Sequence, residues 1–124
     1  KHRLENRIRL DLRFLPREIY ASYMNNCMAC AYIPFDEDSL GYVSMEAATA
    51  GKPIITTTDS GGILGLVIDG VTGFVANPTP EGIAEVINKI YDKKLKLNNM
   101  GQATKQHWLD MGINWSRTIS RLME

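Results

Sequence analysis

Residues 41–58 read GYVSMEAATAGKPIITTT and predict a helix that leads directly into a buried strand. Small residues dominate the first half, and its apolar positions recur with helical spacing, so this helix can pack closely on a sheet. Gly51 stands where a helix C-cap belongs. The β-branched run 53–58 is typical of a strand inside a parallel sheet. The stretch therefore predicts one helix–strand unit of an α/β fold.

The chain on either side continues this alternation. Upstream, the strict two-residue alternation of Ile8–Phe14 predicts a strand, a helix follows from Arg17, and the apolar run Ala29–Phe35 predicts a second strand. Downstream, the patterns predict a short helix over 63–68, a strand over 73–76, an amphipathic helix from Pro80, and helical segments over 102–109 and 116–122. Together these elements predict a Rossmann-like parallel sheet flanked by helices, with a helical C-terminus.

The number of strands indicates part of a larger domain. About four strands are predicted, whereas a complete doubly wound nucleotide-binding domain has about six. We therefore expect residues 1–124 to form a single, partial domain. An incomplete parallel sheet leaves an apolar edge exposed, which favours a homo-oligomer.

Composition and charge exclude several classes of protein. Apolar residues make up 44% of the chain and charged residues 23%, as in an ordinary globular domain. The formal net charge is +0, which gives no reason to expect a nucleic-acid partner. No apolar run approaches the roughly 20 residues that span a bilayer, and the N-terminus has no signal-peptide core. We expect a cytoplasmic protein whose basic N-terminal residues could touch the inner face of a membrane.

The two cysteines, Cys27 and Cys30, form a C-x-x-C pair. A zinc site needs four ligands, and neither a second pair nor a convergent histidine is present in the sequence. The pair also leads into an apolar run rather than opening a helix, as a redox motif would. We therefore expect two buried structural cysteines, with no metal and no cofactor.

The candidate site lies in the loops at the carboxyl ends of the strands, where open α/β sheets bind ligands. Gly41 and the amides after it would form a helix N-terminus, which suits an anion such as a diphosphate. Carboxylates repel a diphosphate, so Asp38 and Glu46 would aim at sugar hydroxyls instead. The spacing alone leaves a second interpretation open, in which both acids are simply solvated.

The segment from Asp38 onward resembles the signature of the retaining nucleotide-sugar glycosyltransferases of family 4 (group 1), which have the GT-B fold. The shared features are two acids separated by seven residues (Asp38 and Glu46), a glycine between them, a following alanine, a Gly-x-Pro, and a β-branched strand. The likeness continues through the glycine pair at 61–62 and the DGVTGFV run at 69–75. The resemblance implies a fragment of a C-terminal GT-B domain.

The resemblance also implies roles for individual residues. Glu46 would hold the ribose and Asp38 the hydroxyls of the transferred sugar, and these two are the candidate catalytic residues. Donor-binding positions would be Leu40, Gly41, Tyr42 and Val43 around the sugar and diphosphate, and Asp59, Ser60, Gly61 and Gly62 along the same cleft. Glu37, separated from Glu46 by eight residues, is the alternative first acid. The family needs no obligatory metal, retains the anomeric configuration, and uses a sugar or lipid-linked acceptor.

Several departures from the family pattern keep other interpretations open. The first acid is usually Glu, and Gly65 stands where the family often has an acid. The upstream Gly-Arg and Lys that clamp the diphosphate have no counterpart in these residues, so we expect the fragment alone to be inactive. The alternatives are a non-catalytic α/β nucleotide-binding or regulatory module and, from the near match of Ser60–Gly65 to G-x-G-x-x-G, a nicotinamide-dependent oxidoreductase.

Overall fold

The computed structural model describes residues 7–92 and 94–124. Helices and strands alternate along most of it. In chain order the elements are α1 (Arg17–Asn26), β1 (Cys30–Ala31), α2 (Tyr42–Thr49), β2 (Ile54–Thr57), a 3₁₀ helix (Gly62–Gly65), β3 (Gly73–Ala76), α3 (Pro80–Asp92), α4 (Lys94–Met111) and α5 (Trp115–Leu122). The predicted parallel sheet flanked by helices is confirmed, and so is the helical C-terminus.

The three strands form a parallel sheet in the order β1-β2-β3. Cys30 pairs with Ile54 on one side of the central strand, and Ile54 pairs with Gly73 on the other. All four residues of β2 are buried, as expected for a central strand covered on both faces.

Successive residues of β2 face opposite sides of the sheet and anchor two separate clusters. Ile54 packs under α2, in a cluster with Ala47, Ala48 and Leu66. Ile55 faces the other way, in a cluster that includes Val86 on α3 and Leu97 on α4. The small residues of α2 bring this helix close to the sheet and so position the loop that precedes it.

Helix α4 lies across the amino ends of the strands. A Cβ on Gly101 would be 2.0 Å from the Gly51 carbonyl oxygen, so only glycine permits this close approach. Three residues later, the Thr104 hydroxyl donates a 2.6 Å hydrogen bond to the Thr72 carbonyl, just before β3. This end of the sheet is therefore covered, while the loops at the carboxyl ends stay available to a ligand.

The predicted strand Ile8–Phe14 is wrong, because the segment forms no ladder and runs as irregular chain into α1. Its apolar side chains are exposed, up to 99% for Phe14. Alternation supplies an apolar face, but a strand also needs a neighbouring edge to pair with, and none pairs with it among the described residues. The sheet consequently has three strands where about four were predicted.

Three other elements differ in length from the prediction. The strand over Ala29–Phe35 keeps only Cys30–Ala31, extended by the hydrogen bond from the Tyr32 amide to the Ile55 carbonyl. The helix over 63–68 is a single 3₁₀ turn, and the helix over 102–109 begins earlier, at Lys94. Pro34 explains the short strand, since proline has no amide hydrogen to donate to a ladder.

Candidate functional site

The loops after β1 and β2 are joined backbone to backbone at the carboxyl edge of the sheet. The Asp36 amide donates to the Asp59 carbonyl (2.8 Å), and the Gly62 amide donates to the Glu37 carbonyl (2.6 Å). A Cβ on Gly61 would lie 2.5 Å from the Glu37 carbonyl oxygen, and one on Gly62 would meet the Asp38 backbone as closely. The glycine pair is therefore required for the contact between the two loops.

Glu37 stabilises the loop after β1 through hydrogen bonds to both of its carboxylate oxygens. The Tyr32 hydroxyl donates a 2.5 Å hydrogen bond to Oε2, and the Ser39 hydroxyl donates a 3.0 Å bond to Oε1. The bond to Glu37, with a contribution from burial, raises the pKa of Tyr32 above its ordinary value. Both oxygens of Glu37 are therefore occupied inside the loop.

The N-terminus of α2 points its amides into the space beside this loop. Gly41 precedes the helix with φ +69°, and a Cβ there would be 2.5 Å from the Tyr32 ring, so the position requires glycine. No side chain caps α2 in the part of the chain that the structure describes. The buried Ser44 hydroxyl instead donates back to the Leu40 and Gly41 carbonyls. The first amides of α2 are thus left for a ligand, at the positive end of the helix.

A cavity of about 560 Å³ adjoins this helix end. It brings together five of the predicted donor-binding residues, and its lining is Tyr32, Glu37, Ser39, Leu40, Gly41, Tyr42, Val43 and Met45. We call it the α2 cavity. Among the side chains that the structure describes, its lining includes no lysine or arginine, so backbone amides would supply the positive potential for an anion.

Asp38 behaves differently from its neighbour Glu37. Its side chain is exposed, and no hydrogen bond or ion pair engages its carboxylate within residues 7–92 and 94–124. Its backbone packs against Gly62, so the residue is fixed in place while its carboxylate stays free. Of the two candidate first acids, Asp38 is the one whose oxygens are available.

Glu46 lies one turn further along α2 and faces a second cavity, of about 520 Å³. We call it the Tyr20 cavity; its lining is Arg13, Phe14, Leu15, Arg17, Tyr20, Val43 and Glu46. Val43 borders both this cavity and the α2 cavity. The two spaces therefore adjoin along the first turns of α2, with Glu46 beyond Val43.

The Tyr20 hydroxyl is shielded from solvent and has no hydrogen bond of acceptable geometry to the described residues. Burial, followed by the nearby Glu46 carboxylate, raises the pKa of Tyr20 to about 12. The Tyr20 hydroxyl and the Glu46 carboxylate thus belong to the same cavity between α1 and α2.

The residues of the loop after β2 do not all line the same cavity. Ser60 is buried, and its hydroxyl accepts a 3.1 Å hydrogen bond from the Thr57 amide. Asp59 instead lines a third cavity, of about 450 Å³, together with Phe35 and residues that follow β3. The structure therefore places Gly61 and Gly62 in the loop contact, Ser60 in the core, and Asp59 beside a different cavity.

The cysteines and His107 lie away from these cavities. Cys27 and Cys30 are free thiols, and both are half-buried rather than buried as predicted. Burial still raises the pKa of Cys30 to about 11, which disfavours the thiolate. His107 Nε2 lies 3.1 Å from the Gly65 carbonyl oxygen, a partner that the sequence did not indicate.

Among the described residues, no three histidine, cysteine, aspartate or glutamate side chains are close enough to hold a metal. None of the helices described is both long and apolar enough to cross a membrane.

The glycine-rich segment Ser60–Gly65 does not have the form of a dinucleotide-binding motif. Gly62–Gly65 make one 3₁₀ turn, whereas that motif opens an α-helix whose N-terminus receives the pyrophosphate. The structure thus removes the local support for a nicotinamide-dependent enzyme.

Tyr20, Tyr32 and Arg17 are site residues that the sequence did not single out. Tyr32 follows β1 directly, so its place at the carboxyl edge could have been inferred from the strand prediction. Tyr20 and Arg17 lie on α1 and reach the site only because α1 packs beside α2, and no local pattern encodes that contact.

The chain is similar to several known proteins. A family model described as "Glycosyl transferases group 1" matches residues 1–107. The alpha-1,3/1,6-mannosyltransferase of Dictyostelium discoideum is 36% identical over 103 residues, which make up 83% of this chain and 24% of that protein. The chain thus spans about a quarter of that relative's length.

Two solved structures resemble the chain. Sucrose-phosphate synthase from Thermosynechococcus elongatus has a TM-score of 0.71 at 24% identity, over 88% of this chain and 28% of that one, which is a likeness of fold. Anabaena HepE in complex with UDP-glucose has a TM-score of 0.57 at 27% identity, over 68% of this chain and 23% of that one.

Proposed function

This chain belongs to the group 1 glycosyltransferases, and we propose that it is the donor-binding part of an enzyme that transfers a sugar from a nucleotide-sugar to an acceptor. We further propose the family 4 assignment, with retention of configuration, because the segment from Asp38 to Gly73 resembles the signature of that family. HepE, which resembles this chain, was crystallised with UDP-glucose, and this supports a nucleoside diphosphate sugar as the donor.

The uncapped N-terminus of α2 is the observation that carries the proposal. Its free amides open into the α2 cavity, where a diphosphate would receive several hydrogen bonds and the favourable end of the helix dipole. None of the described side chains that line that cavity is basic, and we propose that further positive charge comes from outside these residues. For this reason we expect the chain alone to bind a donor weakly and to be inactive.

The two acids at the start of the motif have different roles in this proposal. Both oxygens of Glu37 are bonded to Tyr32 and Ser39, so Glu37 holds the loop in shape. The free carboxylate of Asp38 accepts hydrogen bonds from hydroxyls of the transferred sugar. In this assignment Asp38 is the catalytic carboxylate, and Glu37 is the neighbouring residue that positions it.

Glu46 and the Tyr20 cavity accommodate the nucleoside. The exposed Glu46 carboxylate can accept two hydrogen bonds from the vicinal ribose hydroxyls. Beyond it, Phe14, Leu15 and Val43 provide apolar surface for a base, and Arg17 provides donors at the edge. The nucleotide-sugar would therefore lie along α2, with the sugar near Asp38 and the base near Arg17. No metal or cofactor has a role in this arrangement.

The acceptor in this proposal is a sugar or a lipid-linked saccharide at the cytoplasmic face of a membrane. The exposed side chains of Ile8, Leu10 and Leu12, with Arg9 between the first two, suit a peripheral membrane contact. Within the described residues no strand pairs with the outer side of β1, and this edge would favour a homo-oligomer. Co-sedimentation of the full-length protein with anionic vesicles tests the membrane contact, and sedimentation velocity tests the oligomer.

Calorimetric titration of the full-length protein with nucleoside diphosphates and their sugars tests the donor site. We expect binding that weakens at least about 30-fold in Glu46→Ala, since two charge-assisted hydrogen bonds are lost. Asp92→Ala, which removes an exposed carboxylate at the far end of α3, is the matched control and should bind normally. A folded protein that binds none of these ligands would instead be the non-catalytic module, the alternative that Gly65 at the family's acidic position favours.

A further inference from the structure

A further cavity, of about 400 Å³, lies along the groove between α1 and α2. We call it the α1–α2 cavity; it reaches Asn25 and Ala50, near the C-terminal ends of the two helices. The residues that line both this cavity and the Tyr20 cavity are Arg17, Tyr20 and Glu46. The Glu46 carboxylate therefore borders two spaces, and the proposed donor occupies only one of them.

The side chain of Glu46 is not held by charge. The residue is exposed, and within the described part of the chain no lysine or arginine forms an ion pair with it. Its backbone is fixed by α2, where its carbonyl accepts a 2.9 Å hydrogen bond from the Ala50 amide. A glutamate side chain has several rotatable bonds, so a free carboxylate loses conformational entropy when it binds the ribose. A fixed donor beside Glu46 would reduce that loss.

The side chain of Tyr20, in contrast, is held by the core. It packs against the cluster under α2 that contains Ala47 and Ala48, and its amide donates a 3.0 Å hydrogen bond to the Pro16 carbonyl. Burial and the nearby Glu46 carboxylate raise the pKa of Tyr20 to about 12, so the hydroxyl keeps its proton at neutral pH. Tyr20 is therefore a rigid donor next to a mobile acceptor.

One hydrogen bond between these side chains would satisfy both. The Tyr20 hydroxyl is shielded from solvent without a hydrogen bond of acceptable geometry, which is costly, and a rotation of the Glu46 side chain would supply its partner. A carboxylate has about four lone-pair sites, so it can accept from a phenol and from two ribose hydroxyls together. A phenol also leaves the charge on the carboxylate, which keeps the bonds to the ribose strong.

We propose that Tyr20 is a positioning residue, whose hydroxyl donates to one carboxylate oxygen of Glu46 and holds the carboxylate where the ribose of the donor binds. This rests on the proposed function, because it assumes that Glu46 binds the ribose. It gives a role in donor binding to a side chain of α1, which lies outside the motif that begins at Asp38.

Calorimetric titration of the full-length protein with ADP, GDP, UDP and CDP and with their 2′-deoxy analogues tests this role. The ratio of the two affinities measures what the ribose 2′-hydroxyl contributes. We expect the unmodified protein to prefer one ribonucleotide over its analogue by about ten-fold or more, and Tyr20→Phe to reduce that preference about three- to five-fold. Tyr23→Phe is the matched control, because Tyr23 lies on the same helix, is exposed and is not among the lining residues of either cavity.

A double-mutant cycle separates positioning from a general effect on the fold. If Tyr20 acts through Glu46, adding Tyr20→Phe to Glu46→Gln should leave the preference for the ribonucleotide unchanged. An equal loss of preference with and without Glu46→Gln would be an independent effect of Tyr20 and would overturn the proposal.

The outcomes distinguish this proposal from the proposed function. If Tyr20→Phe keeps the full preference for the ribonucleotide, the role of Tyr20 is wrong and donor binding stands. If the unmodified protein binds both nucleotides of a pair equally, Glu46 does not hold the 2′-hydroxyl and the proposal fails in the same way. A folded protein that binds none of these nucleotides would contradict the proposed function, and this inference with it.

Discussion

The Tyr32 hydroxyl donates a 2.5 Å hydrogen bond to Glu37 Oε2, and the Tyr32 ring also lies where a Cβ on Gly41 would be. One aromatic side chain thus fixes both ends of the loop that leads into α2. The direction of the α2 amides depends on this loop, so the contact between Tyr32 and Glu37 links the sheet to the donor site.

Removing the Tyr32 hydroxyl should loosen this loop. In Tyr32→Phe the ring still packs on Gly41, but Glu37 loses one of its two donors. We expect about 1–2 kcal/mol less stability, because the lost bond is to a charged group and is partly exposed. Donor affinity should fall about ten-fold. Urea unfolding and calorimetric titration measure the two effects, and an unchanged donor affinity would contradict the role of the loop.

The two neighbouring acids should respond differently to loss of charge. Asp38→Asn should reduce transfer by at least about 100-fold with little change in stability, since its carboxylate bonds to no other described residue. Glu37→Gln keeps an acceptor for Tyr32 and should have a milder effect on transfer with a measurable loss of stability. Steady-state rates and urea unfolding of both variants test this. If Glu37→Gln slowed transfer more than Asp38→Asn does, Glu37 would be the catalytic carboxylate.

The glycine pair offers a test with an internal control. Gly61→Ala would place a Cβ 2.5 Å from the Glu37 carbonyl oxygen at a positive φ, so we expect a loss of about 2–3 kcal/mol and weaker donor binding. Gly65→Ala meets no atom within 4 Å and should change stability by less than about 1 kcal/mol. Thermal unfolding of both variants is sufficient. Equal losses would show that the two loops do not need this close contact.

Stability should decline at alkaline pH in part through Tyr20. Folding raises the pKa of Tyr20 from an ordinary 10.0 to about 12, so folding favours the protonated phenol. This contribution is complete below pH 10.0 and is lost as the pH rises toward about 12. Tyr20→Phe should therefore show a shallower fall in stability over that range. Urea midpoints for both proteins between pH 9 and 12 test the slope, and parallel curves would exclude this contribution.

Helix α4 should govern stability without contributing to binding. Thr104→Val removes the bond to the Thr72 carbonyl but preserves the shape of the side chain, so we expect a loss of about 1–3 kcal/mol. Because this contact lies at the covered end of the sheet, donor affinity at 25 °C should be unchanged. Unfolding and titration on the same sample test both statements. A coupled loss of affinity would mean that the two ends of the sheet are linked.

Local patterns predicted the elements well where one face of a segment packs on its own neighbours. The helix of 42–50, the buried strand after Gly51 and the helix from Pro80 are examples, because their apolar spacing records a burial that the structure contains. Ile8–Phe14 failed, since alternation indicates a face but says nothing about whether an edge is available to pair with it.

The candidate site was predictable only as a set of loops. The strand pattern indicated which loops gather at the carboxyl edge, the family resemblance implied the individual residues, and the α2 cavity does bring Glu37, Leu40, Gly41, Tyr42 and Val43 together. In the loop after β2, Ser60 lies in the core, Gly61 and Gly62 contact the neighbouring loop, and Asp59 lines the third cavity. This arrangement depends on backbone hydrogen bonds between segments more than 20 residues apart. No periodicity of a single segment encodes such bonds.

The close approach of Gly101 to Gly51 also has a consequence for the order in which the protein folds. During synthesis all three strands leave the ribosome before α4 does, so α4 cannot cover the amino ends of the nascent sheet until residue 104 has emerged. Contacts between segments this distant in sequence form late, because the intervening chain must first be ordered. Until then the unsealed strands are a target for chaperones or for aggregation. We expect a chain stalled or truncated before α4 to carry every residue of the donor motif but to lack the contacts that cover the amino ends of its sheet.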